Sequence, residues 1–233
     1  IGLSLVGSEM CIRDSYITYA FLVTTGTITF IESMRTAYFG ARHILNIETC
    51  ISIVAAFFYG NFVSMFKESK ESFGDKNELL SKINMNRYVD WAITTPLMLF
   101  VILMAFSYNI KNTSKVNFKH LVLVLLLKYA MLLCGYIGET NIDLNIIMNI
   151  CGFVFFILLY AFLYFKYIKP HFGKRGSETN IALYLAYVIA WSLYGVFYYM
   201  DEYTKNIGYN ILDLFSKCFV GIFFWAYFAK IFN

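Results

Sequence analysis

Charged residues are scarce in this sequence. They make up 15% of its 233 residues, whereas hydrophobic residues make up 59%. Soluble domains average roughly 25% charged and roughly 45–50% apolar residues. Water is therefore not the main solvent of this chain. The modest net charge of +4 is better explained by membrane topology than by nucleic-acid binding.

Proline and paired cysteines are scarce as well. Two prolines stand against 24 phenylalanines and 19 tyrosines, a balance that favours long helices with aromatic girdles at the membrane interface. The five cysteines form no C-x-x-C pair, so neither a disulfide framework nor a zinc site is indicated. No nucleophile–base set or metal cluster is recognisable, and we expect neither an enzyme nor a metal site.

Seven apolar stretches are candidates to cross a bilayer, which takes about 20 mostly apolar residues. The sequence therefore predicts an all-α bundle of seven transmembrane helices whose partner is the lipid bilayer. Between the second and third spans lies the longest polar connection, predicted to be a hairpin or a loop. The predicted spans are Tyr16–Ile31, Ile47–Phe66, Tyr88–Ser107, Phe118–Ile137, Leu144–Tyr167, Ile181–Met200 and Ile207–Phe232.

The first fifteen residues, IGLSLVGSEMCIRDS, are predicted to be a non-native leader. Their short apolar run has no basic region before it, so they make a poor signal peptide. The stretch LVGSEMCIRD also resembles a translated sequencing adapter. We therefore assign the seven-helix domain to residues 16–233 and expect the native N-terminus to be missing.

Basic residues of the loops predict the orientation, because positively charged loops tend to stay in the cytoplasm. They collect on the side that holds the C-terminus, while acidic residues collect on the other side. We expect an extracellular N-terminus and a cytoplasmic C-terminus. The ten basic residues are Arg35, Arg42, Lys111, Lys115, Lys119, Lys166, Lys169, Lys174, Arg175 and Lys230.

Six ionisable residues are assigned to the hydrocarbon region, within the predicted spans or next to one, and there each costs at least ~2.5 kcal/mol to insert. Asp213 and Lys217 are four residues apart and share a helix face, as do Arg87, Asp90 and Thr94. A buried lysine amine loses its proton readily and forms an imine with an aldehyde. The alternative, a Lys217–Asp213 pair that only holds helices together, leaves the other charges unexplained. The six are Glu48, Arg87, Asp90, Lys128, Asp213 and Lys217.

Two segments carry a family resemblance. RYVDWAITTPLML, from Arg87 to Leu99, and NIGYNILDLFSKC, which contains Lys217, resemble the microbial (type 1) rhodopsins, the family of bacteriorhodopsin and proteorhodopsin. The resemblance implies all-trans retinal bound to Lys217 as a protonated Schiff base. It also implies that Asp90 is the primary counterion and proton acceptor and that Asp213 is the second counterion.

The same resemblance implies the surroundings of the retinal. Arg87 is expected on the extracellular side of the carboxylates, Thr94 as a hydrogen-bond partner of Asp90, and Tyr194 as a partner of Asp213. Trp91 and Trp191 would sandwich the polyene, and an apolar residue at Met98 predicts a green absorption maximum. Further lining residues are Thr95, Met98, Met131, Gly135, Gly152, Phe155 and Tyr198.

The cytoplasmic proton donor departs from the common pattern of outward pumps. Val101 occupies its position, and Glu48 is the replacement candidate because an apolar site keeps a carboxylic acid protonated. The segment ARHILNIETC, which contains Arg42 and Glu48, resembles the viral rhodopsins. The alternative is that Glu48 is an interfacial acid paired with a loop base such as Arg42.

The sequence predicts a light-driven outward proton pump, with a light-gated cation channel as the alternative and a photosensor as a further one. We expect a homo-oligomer, a trimer or pentamer, in the plasma membrane of the host or source cell, without nucleic acid or soluble partners. The role of Lys128 stays open between snorkelling to the interface, lining a polar cavity and altering a gate near Thr95. Lys217 is favoured over it as the retinal lysine because no carboxylate lies a turn away from Lys128.

Overall fold

Seven helices make up the described part of the chain, which comprises residues 2–72, 76–111, 115–174 and 176–231 of a computed structural model. The all-α prediction is confirmed. The helices are α1 (Gly2–Arg35), α2 (Phe39–Ser72), α3 (Lys76–Lys111), α4 (Phe118–Thr140), α5 (Asn145–His171), α6 (Ser177–Phe197) and α7 (Glu202–Phe228). Those from α2 to α7 are long and apolar enough to cross a membrane.

Two helices change their winding along their length. In α5 an α-helical part, Asn145–Leu163, gives way to the π-helical Tyr164–Ile168 and a short 3₁₀ turn. In α7 the segment Leu214–Phe219 is π-helical and separates Glu202–Asp213 from Val220–Phe228. A single π turn inside an α-helix is often a mark of a functional site.

The helices extend further than the apolar stretches predicted. The structure has α2 running to Ser72 and α3 beginning at Lys76, so most of the polar connection expected around residues 67–86 is helical. At 34 and 36 residues these helices are about 50 Å long and project beyond a hydrocarbon core of about 30 Å. Polar side chains therefore lie on helix ends in water. Gly74, Asp75 and Arg175 lie outside the described residues.

Local sequence signals explain where several helices begin. The side chain of Asn117 accepts a hydrogen bond from the Lys119 backbone N–H at the start of α4. Asp201 does the same for two backbone N–H groups at the start of α7. A hydrogen bond with the Thr204 side chain, together with these backbone bonds, lowers the pKa of its carboxyl group. Before α6, Gly176 adopts a φ of 84°, and a Cβ there would collide with the Asn109 carbonyl.

The bundle closes on itself because α7 packs between α1 and α6, while α4 packs between α3 and α5. We call the end where α1 ends and α2 begins the Arg42 end, and the opposite end the Glu139 end. The outer surface carries large apolar side chains, such as Phe57 (64% exposed), Leu126 (63%) and Ile157 (62%). Such a surface suits lipid, and the chain is an integral multi-pass membrane protein.

The predicted leader continues into α1. Residues 2–15 form its first turns, and Ser15 is buried, where it accepts a hydrogen bond from Asn210 at 3.1 Å. The assignment of this segment as non-native stays a prediction.

Candidate functional site: a buried lysine between two carboxylates

Lys217 lies at the centre of the bundle, within the π-helical segment of α7. Its Nζ atom donates to Asp90 Oδ2 at 2.6 Å and to Asp213 Oδ2 at 3.2 Å, and all three side chains are excluded from solvent. The two acids come from different helices, α3 and α7. One cation therefore faces two anions, as the spacing of the residues predicts.

The two carboxylates differ in how firmly they are held. Asp213 accepts hydrogen bonds from Tyr59 at 2.8 Å and from Tyr194 at 2.5 Å in addition to that from Lys217. Asp90 uses only Oδ2, since its buried Oδ1 has no hydrogen-bond partner in the described part of the chain. Asp213 is thus held by three hydrogen bonds, whereas Asp90 has one oxygen without a partner in the described residues.

Thr94 is a hydrogen-bond partner of Asp90, but through the Asp90 backbone. Its hydroxyl donates to the backbone carbonyl of Asp90 at 2.8 Å and not to the carboxylate. This is the usual choice of a helical threonine, whose side chain reaches the carbonyl four residues earlier. Thr94 is nevertheless fully buried one turn from Asp90.

Arg87 lies on the Glu139 side of the carboxylates, held by side chains of α2 and α7. It donates to Tyr59 Oη at 3.0 Å and to Asn210 Oδ1 at 2.5 Å, and its Nε and Nη2 atoms approach Asn206 Oδ1 at 3.4 and 3.3 Å. Tyr59 thus joins Arg87 to Asp213. No sequence signal distinguished Tyr59 from the other tyrosines, because the contact depends on how α2 packs.

A second ionic cluster lies beyond Arg87 at the Glu139 end. Lys205 forms ion pairs with Glu139 at 2.9 Å and with Glu202 at 2.7 Å, and Asn84 donates to both carboxylates. Asn206 connects the two layers, since it accepts from Arg87 and donates to the Glu202 backbone carbonyl. The cluster ties α3, α4 and α7 together at this end.

A cavity that Lys217 of α7 borders is lined by side chains of α3, α4, α5 and α6. Trp91 on α3 and Trp191 on α6 both line it, as does the ring of Phe153, which lies so close to Gly195 that a Cβ there would collide with it. The predicted residues that line the cavity are Trp91, Thr95, Met98, Met131, Gly135, Gly152, Trp191, Tyr194, Tyr198 and Lys217.

Phe155 was expected in this lining and is not part of it; Phe153 and Phe156 take that place. Residues on an α-helix are separated by about 100°, and Phe155 falls to one side of the face that Gly152 and Phe156 share. An aromatic, apolar cavity headed by an amine and two anions fits retinal well, because a polyene needs apolar walls and its aldehyde end needs a lysine.

Glu48 is buried in α2 with 1% of its surface exposed. Its Oε1 atom has no hydrogen-bond partner among the described residues, and neither do the nearby hydroxyls of Thr25 and Ser52. Arg42, the base considered as a pairing partner, donates instead to the Thr36 carbonyl at 2.9 Å and forms no ion pair with Glu48. The alternative of a Glu48–Arg42 pair is therefore not what this structure contains.

Lys128, whose role the sequence left open, also lines the cavity. It does not snorkel: its side chain is fully buried, and Nζ donates to the Trp91 backbone carbonyl at 2.9 Å. The adjacent Tyr129 donates to the Ala92 carbonyl at 3.0 Å. The Ala92 carbonyl has no helical partner, since Pro96, four residues further on in α3, lacks the N–H that would bond to it.

A seven-helix membrane bundle with a buried lysine facing two carboxylates at the head of an aromatic cavity is the architecture of the rhodopsins. The chain belongs to the bacteriorhodopsin-like protein family, whose model matches residues 12–231. The predicted resemblance to microbial rhodopsins is thereby confirmed. Members of this family are light-driven transporters and sensors, and they bind retinal through a lysine Schiff base.

Several known proteins are similar to this chain. The crystal structure of viral rhodopsin OLPVRII superimposes with a TM-score of 0.85 and 47% identity, covering 96% of this chain and 99% of that one. A green-light absorbing proteorhodopsin of Gamma-proteobacterium EBAC31A08 is 25% identical over 158 residues, 60% of this chain and 59% of the relative. Opsin-1 of Neurospora crassa is 23% identical over 91% of this chain and 74% of its own length. The chain thus spans about three fifths of the proteorhodopsin.

Proposed function

We propose that this chain is a light-driven outward proton pump that carries all-trans retinal as a protonated Schiff base on Lys217. The observation that carries the proposal is the position of the Lys217 Nζ atom, 2.6 Å from an Asp90 carboxylate whose second oxygen is free. When bound, retinal supplies the light-absorbing step. Proton-pumping relatives support the reading, among them a proton pumping rhodopsin of Acetabularia acetabulum that shares the fold.

The two carboxylates take different roles because their surroundings differ. Asp90 is the proton acceptor, since protonation of its free oxygen breaks no existing hydrogen bond. Asp213 stays ionised because three donors, Lys217, Tyr59 and Tyr194, stabilise its negative charge. It is the permanent counterion.

On the outer side, Arg87 and the ion pairs of Lys205 with Glu139 and Glu202 form the exit path for the proton. We place the Glu139 end outside the cell, following the distribution of basic loop residues. Arg87 places a positive charge on this side of the carboxylates and is linked to Asp213 through the Tyr59 hydroxyl. The ion pairs of Lys205 with Glu139 and Glu202 are the next charged layer that a released proton meets.

On the inner side, Glu48 is the proton donor. It is buried in apolar surroundings, which keep a carboxylic acid protonated until a proton is required. Two hydroxyls without partners in the described residues, Thr25 on the neighbouring α1 and Ser52 one turn along α2, provide polar groups for a hydrated path. Val101, fully buried on α3, carries no proton.

A second candidate function, a light-gated cation channel, is favoured by the same polar groups. Buried oxygens of Thr25, Glu48, Ser52 and Tyr187, on α1, α2 and α6, lack partners in the described part of the chain. Such oxygens are suitable ligands for water and for hard cations.

Photocurrents of the native protein beside Glu48→Gln test the pump against the channel. A pump current keeps its sign across the accessible voltage range, whereas a channel current reverses near an ion's equilibrium potential. We expect the native current to stay outward and the Glu48→Gln current to decay with slow recovery. Glu178→Gln, which neutralises an exposed acid at the start of α6, is the matched control and leaves the current unchanged.

Two further properties accompany this proposal. We expect a green absorption maximum, because the apolar Met98 lies in the cavity wall two turns from Asp90. We also expect a homo-oligomer, a trimer or pentamer, in which part of the exposed apolar surface contacts a second copy. A blue maximum of the purified pigment, or a monomer by light scattering in detergent, contradicts the respective expectation.

A further inference from the structure

Gly221 is the residue at which the inner half of α7 meets both α1 and α2. It is buried and lies four residues, about one helical turn, after Lys217. A Cβ atom on Gly221 would lie 2.7 Å from the Thr25 methyl carbon of α1 and 3.4 Å from Glu48 Oε2 of α2. The Glu48 carboxyl group therefore packs against α7 at a position that has no side chain.

This contact lies on the opposite side of Lys217 from its two carboxylates. The Lys217 Nζ atom reaches back along α7 to Asp213, four residues earlier, at 3.2 Å. Gly221 and the Glu48 carboxyl group lie one turn the other way, toward the Arg42 end. A proton that moves from Glu48 to the Lys217 nitrogen therefore passes the turn of α7 that separates Lys217 from Gly221.

The space beside Gly221 is too small for a methyl group. Carbon atoms in contact are normally about 3.5–4.0 Å apart, so a Cβ atom at 2.7 Å from the Thr25 methyl carbon requires a neighbour to move. Thr25 is fully buried, and its branched side chain has few rotamers to choose from. An added methyl group therefore displaces Thr25 and fills the space beside the Glu48 carboxyl group.

Little else fixes the position of this carboxyl group. Its Oε1 atom has no hydrogen-bond partner among the described residues. Arg42, the nearby base on the same helix, donates to the Thr36 carbonyl and forms no ion pair with Glu48. The contact with Gly221 is thus a main determinant of where the acid lies relative to α7.

We propose that Gly221 is a positioning residue for proton donation: because it has no side chain, the Glu48 carboxyl group packs against α7 one turn from Lys217. The inference rests on the proposed donor role of Glu48 and adds the feature that holds the donor in place. In the step itself Glu48 loses its proton and becomes a carboxylate, while the Schiff-base nitrogen of Lys217 gains that proton. Gly221 makes and breaks no bond.

Helix packing alone is the competing explanation. Small residues let membrane helices approach one another closely, and a methyl group at Gly221 would then lower the stability of the bundle without affecting proton donation. The two explanations differ in the step they affect. Only a positioning role makes the supply of a proton to Lys217 slow.

The main test is the recovery of visible absorption after a laser flash, measured on the purified retinal pigment of Gly221→Ala. We expect recovery to be about 10- to 100-fold slower than in the native protein, the usual effect of misplacing a reacting group. The dark absorption maximum is expected to stay native, because Gly221 does not line the cavity. Azide, a small weak acid that carries protons into proteins, is expected to restore the rate.

A compensating variant tests the steric cause. Thr25→Ser removes the methyl carbon with which the new Cβ atom collides and keeps the hydroxyl group. Thr25→Ser alone is expected to recover at the native rate, and Gly221→Ala combined with Thr25→Ser is expected to recover faster than Gly221→Ala. An equally slow double variant would contradict the steric cause.

A second variant moves the acid without adding a methyl group. Glu48→Asp keeps the carboxyl group but shortens its side chain by one methylene, which withdraws it from Gly221. We expect slow recovery that azide restores. This variant decides the question if Gly221→Ala does not fold.

Gly60→Ala is the matched control, because Gly60 is also helical. A Cβ atom there would lie 3.4 Å from the Tyr19 ring, an ordinary contact distance. We expect native recovery. Slow recovery in Gly60→Ala equal to that of Gly221→Ala would overturn the inference, since the effect would not be local to Glu48.

Two further results overturn the role of Gly221: native recovery in a folded Gly221→Ala, and slow recovery that azide leaves unchanged. If Gly221→Ala does not fold, native recovery in Glu48→Asp does the same. The failure of the proposed function looks different, because native recovery in Glu48→Gln removes the donor role itself. Slow recovery in Glu48→Gln beside native recovery in Gly221→Ala leaves the donor in place and overturns only the role of Gly221.

Discussion

At the scale of single residues, the chemistry depends on the Lys217 amine. We predict that Lys217→Ala folds but forms no visible pigment with retinal, because the remaining cavity lysine, Lys128, has no carboxylate in contact with it. Absorption spectra after retinal addition, with hydroxylamine bleaching, measure this. Lys119→Ala, on the outer surface of α4, is the control and forms the native pigment. A bleachable pigment in Lys217→Ala would refute the assignment.

Asp90 permits a prediction of a different kind, because it has the free oxygen. Asp90→Asn keeps a polar group beside Lys217 but cannot accept a proton, so transport is expected to fall by about 10²-fold or more while a pigment still forms. Removing an anion beside the cation also moves its absorption to longer wavelength. Light-driven pH changes in liposomes, abolished by an uncoupler, provide the measurement. Asp143→Asn, an exposed acid near the start of α5, serves as the control; undiminished transport in Asp90→Asn would exclude it as acceptor.

The core of this site was predictable because it follows from helical spacing. Asp213 and Lys217 are one turn apart, and so are Arg87, Asp90 and Thr94. Contacts between helices that are distant in sequence were not predictable: the bridging hydroxyl of Tyr59, the cluster around Lys205, and the Trp91 carbonyl that receives Lys128. They depend on the rotation and depth of whole helices, which one sequence does not encode in its spacing.

At the scale of secondary-structure elements, α4 supplies a hydrogen bond that α3 lacks. Pro96 has no N–H to donate to the Ala92 carbonyl, and Tyr129 of α4 donates to it instead. Tyr129→Phe leaves the Ala92 carbonyl without its donor, and we expect a loss of about 1 kcal/mol in the free energy of unfolding. In a Pro96→Ala background the restored N–H can bond to Ala92, so the same substitution should cost less. Unfolding of the four proteins in mixed micelles measures the coupling, and equal costs in both backgrounds would contradict it.

The start of α7 gives an element-level prediction with a pH dependence. Asp201 caps the helix by accepting hydrogen bonds from the N–H groups of Tyr203 and Thr204. A hydrogen bond with the Thr204 side chain, together with those from these N–H groups, lowers its pKa from the ordinary 3.8. Because the folded-state pKa is lower, the stabilisation is present above pH 3.8 and is lost as pH falls through the folded-state value.

Asp201→Ala is therefore expected to destabilise the protein by about 1 kcal/mol at neutral pH. The difference from the native protein should shrink at pH values below 3.8. Thermal unfolding in detergent at neutral and acidic pH measures both, with the exposed Asp143→Ala as the control. A difference that is unchanged at acidic pH would assign the effect to something other than the cap.

Helix boundaries were less predictable than helix existence. Hydropathy indicates where a helix is inside lipid and gives no signal where the helix continues into water. The polar ends of α2 and α3 were therefore expected to form a hairpin or a loop. The π-helical turn in α7 also leaves no sequence signal, since an α-helical reading of its spacing already brings Asp213 and Lys217 together.

At the scale of the whole molecule, the distribution of basic residues predicts the direction of transport through the orientation of the bundle. We expect a cysteine introduced at the exposed Asp143 to react with a membrane-impermeant maleimide added to intact cells. A cysteine at the exposed Lys169 should react only after lysis. The parent protein with its native cysteines gives the background. The reverse labelling pattern would invert the bundle and with it the proposed outward direction.

The π-helical turn at Leu214–Phe219 has a consequence for the half of α7 that follows it. One extra residue in a turn rotates everything downstream by about 100° relative to an unbroken α-helix. That rotation brings Gly221 against Thr25 and Glu48, so closely that a Cβ would collide with the threonine methyl group. The π turn that presents the Lys217 amine to the two carboxylates therefore also sets which side of α7 meets Glu48, and deleting a single residue from the turn would misalign both at once.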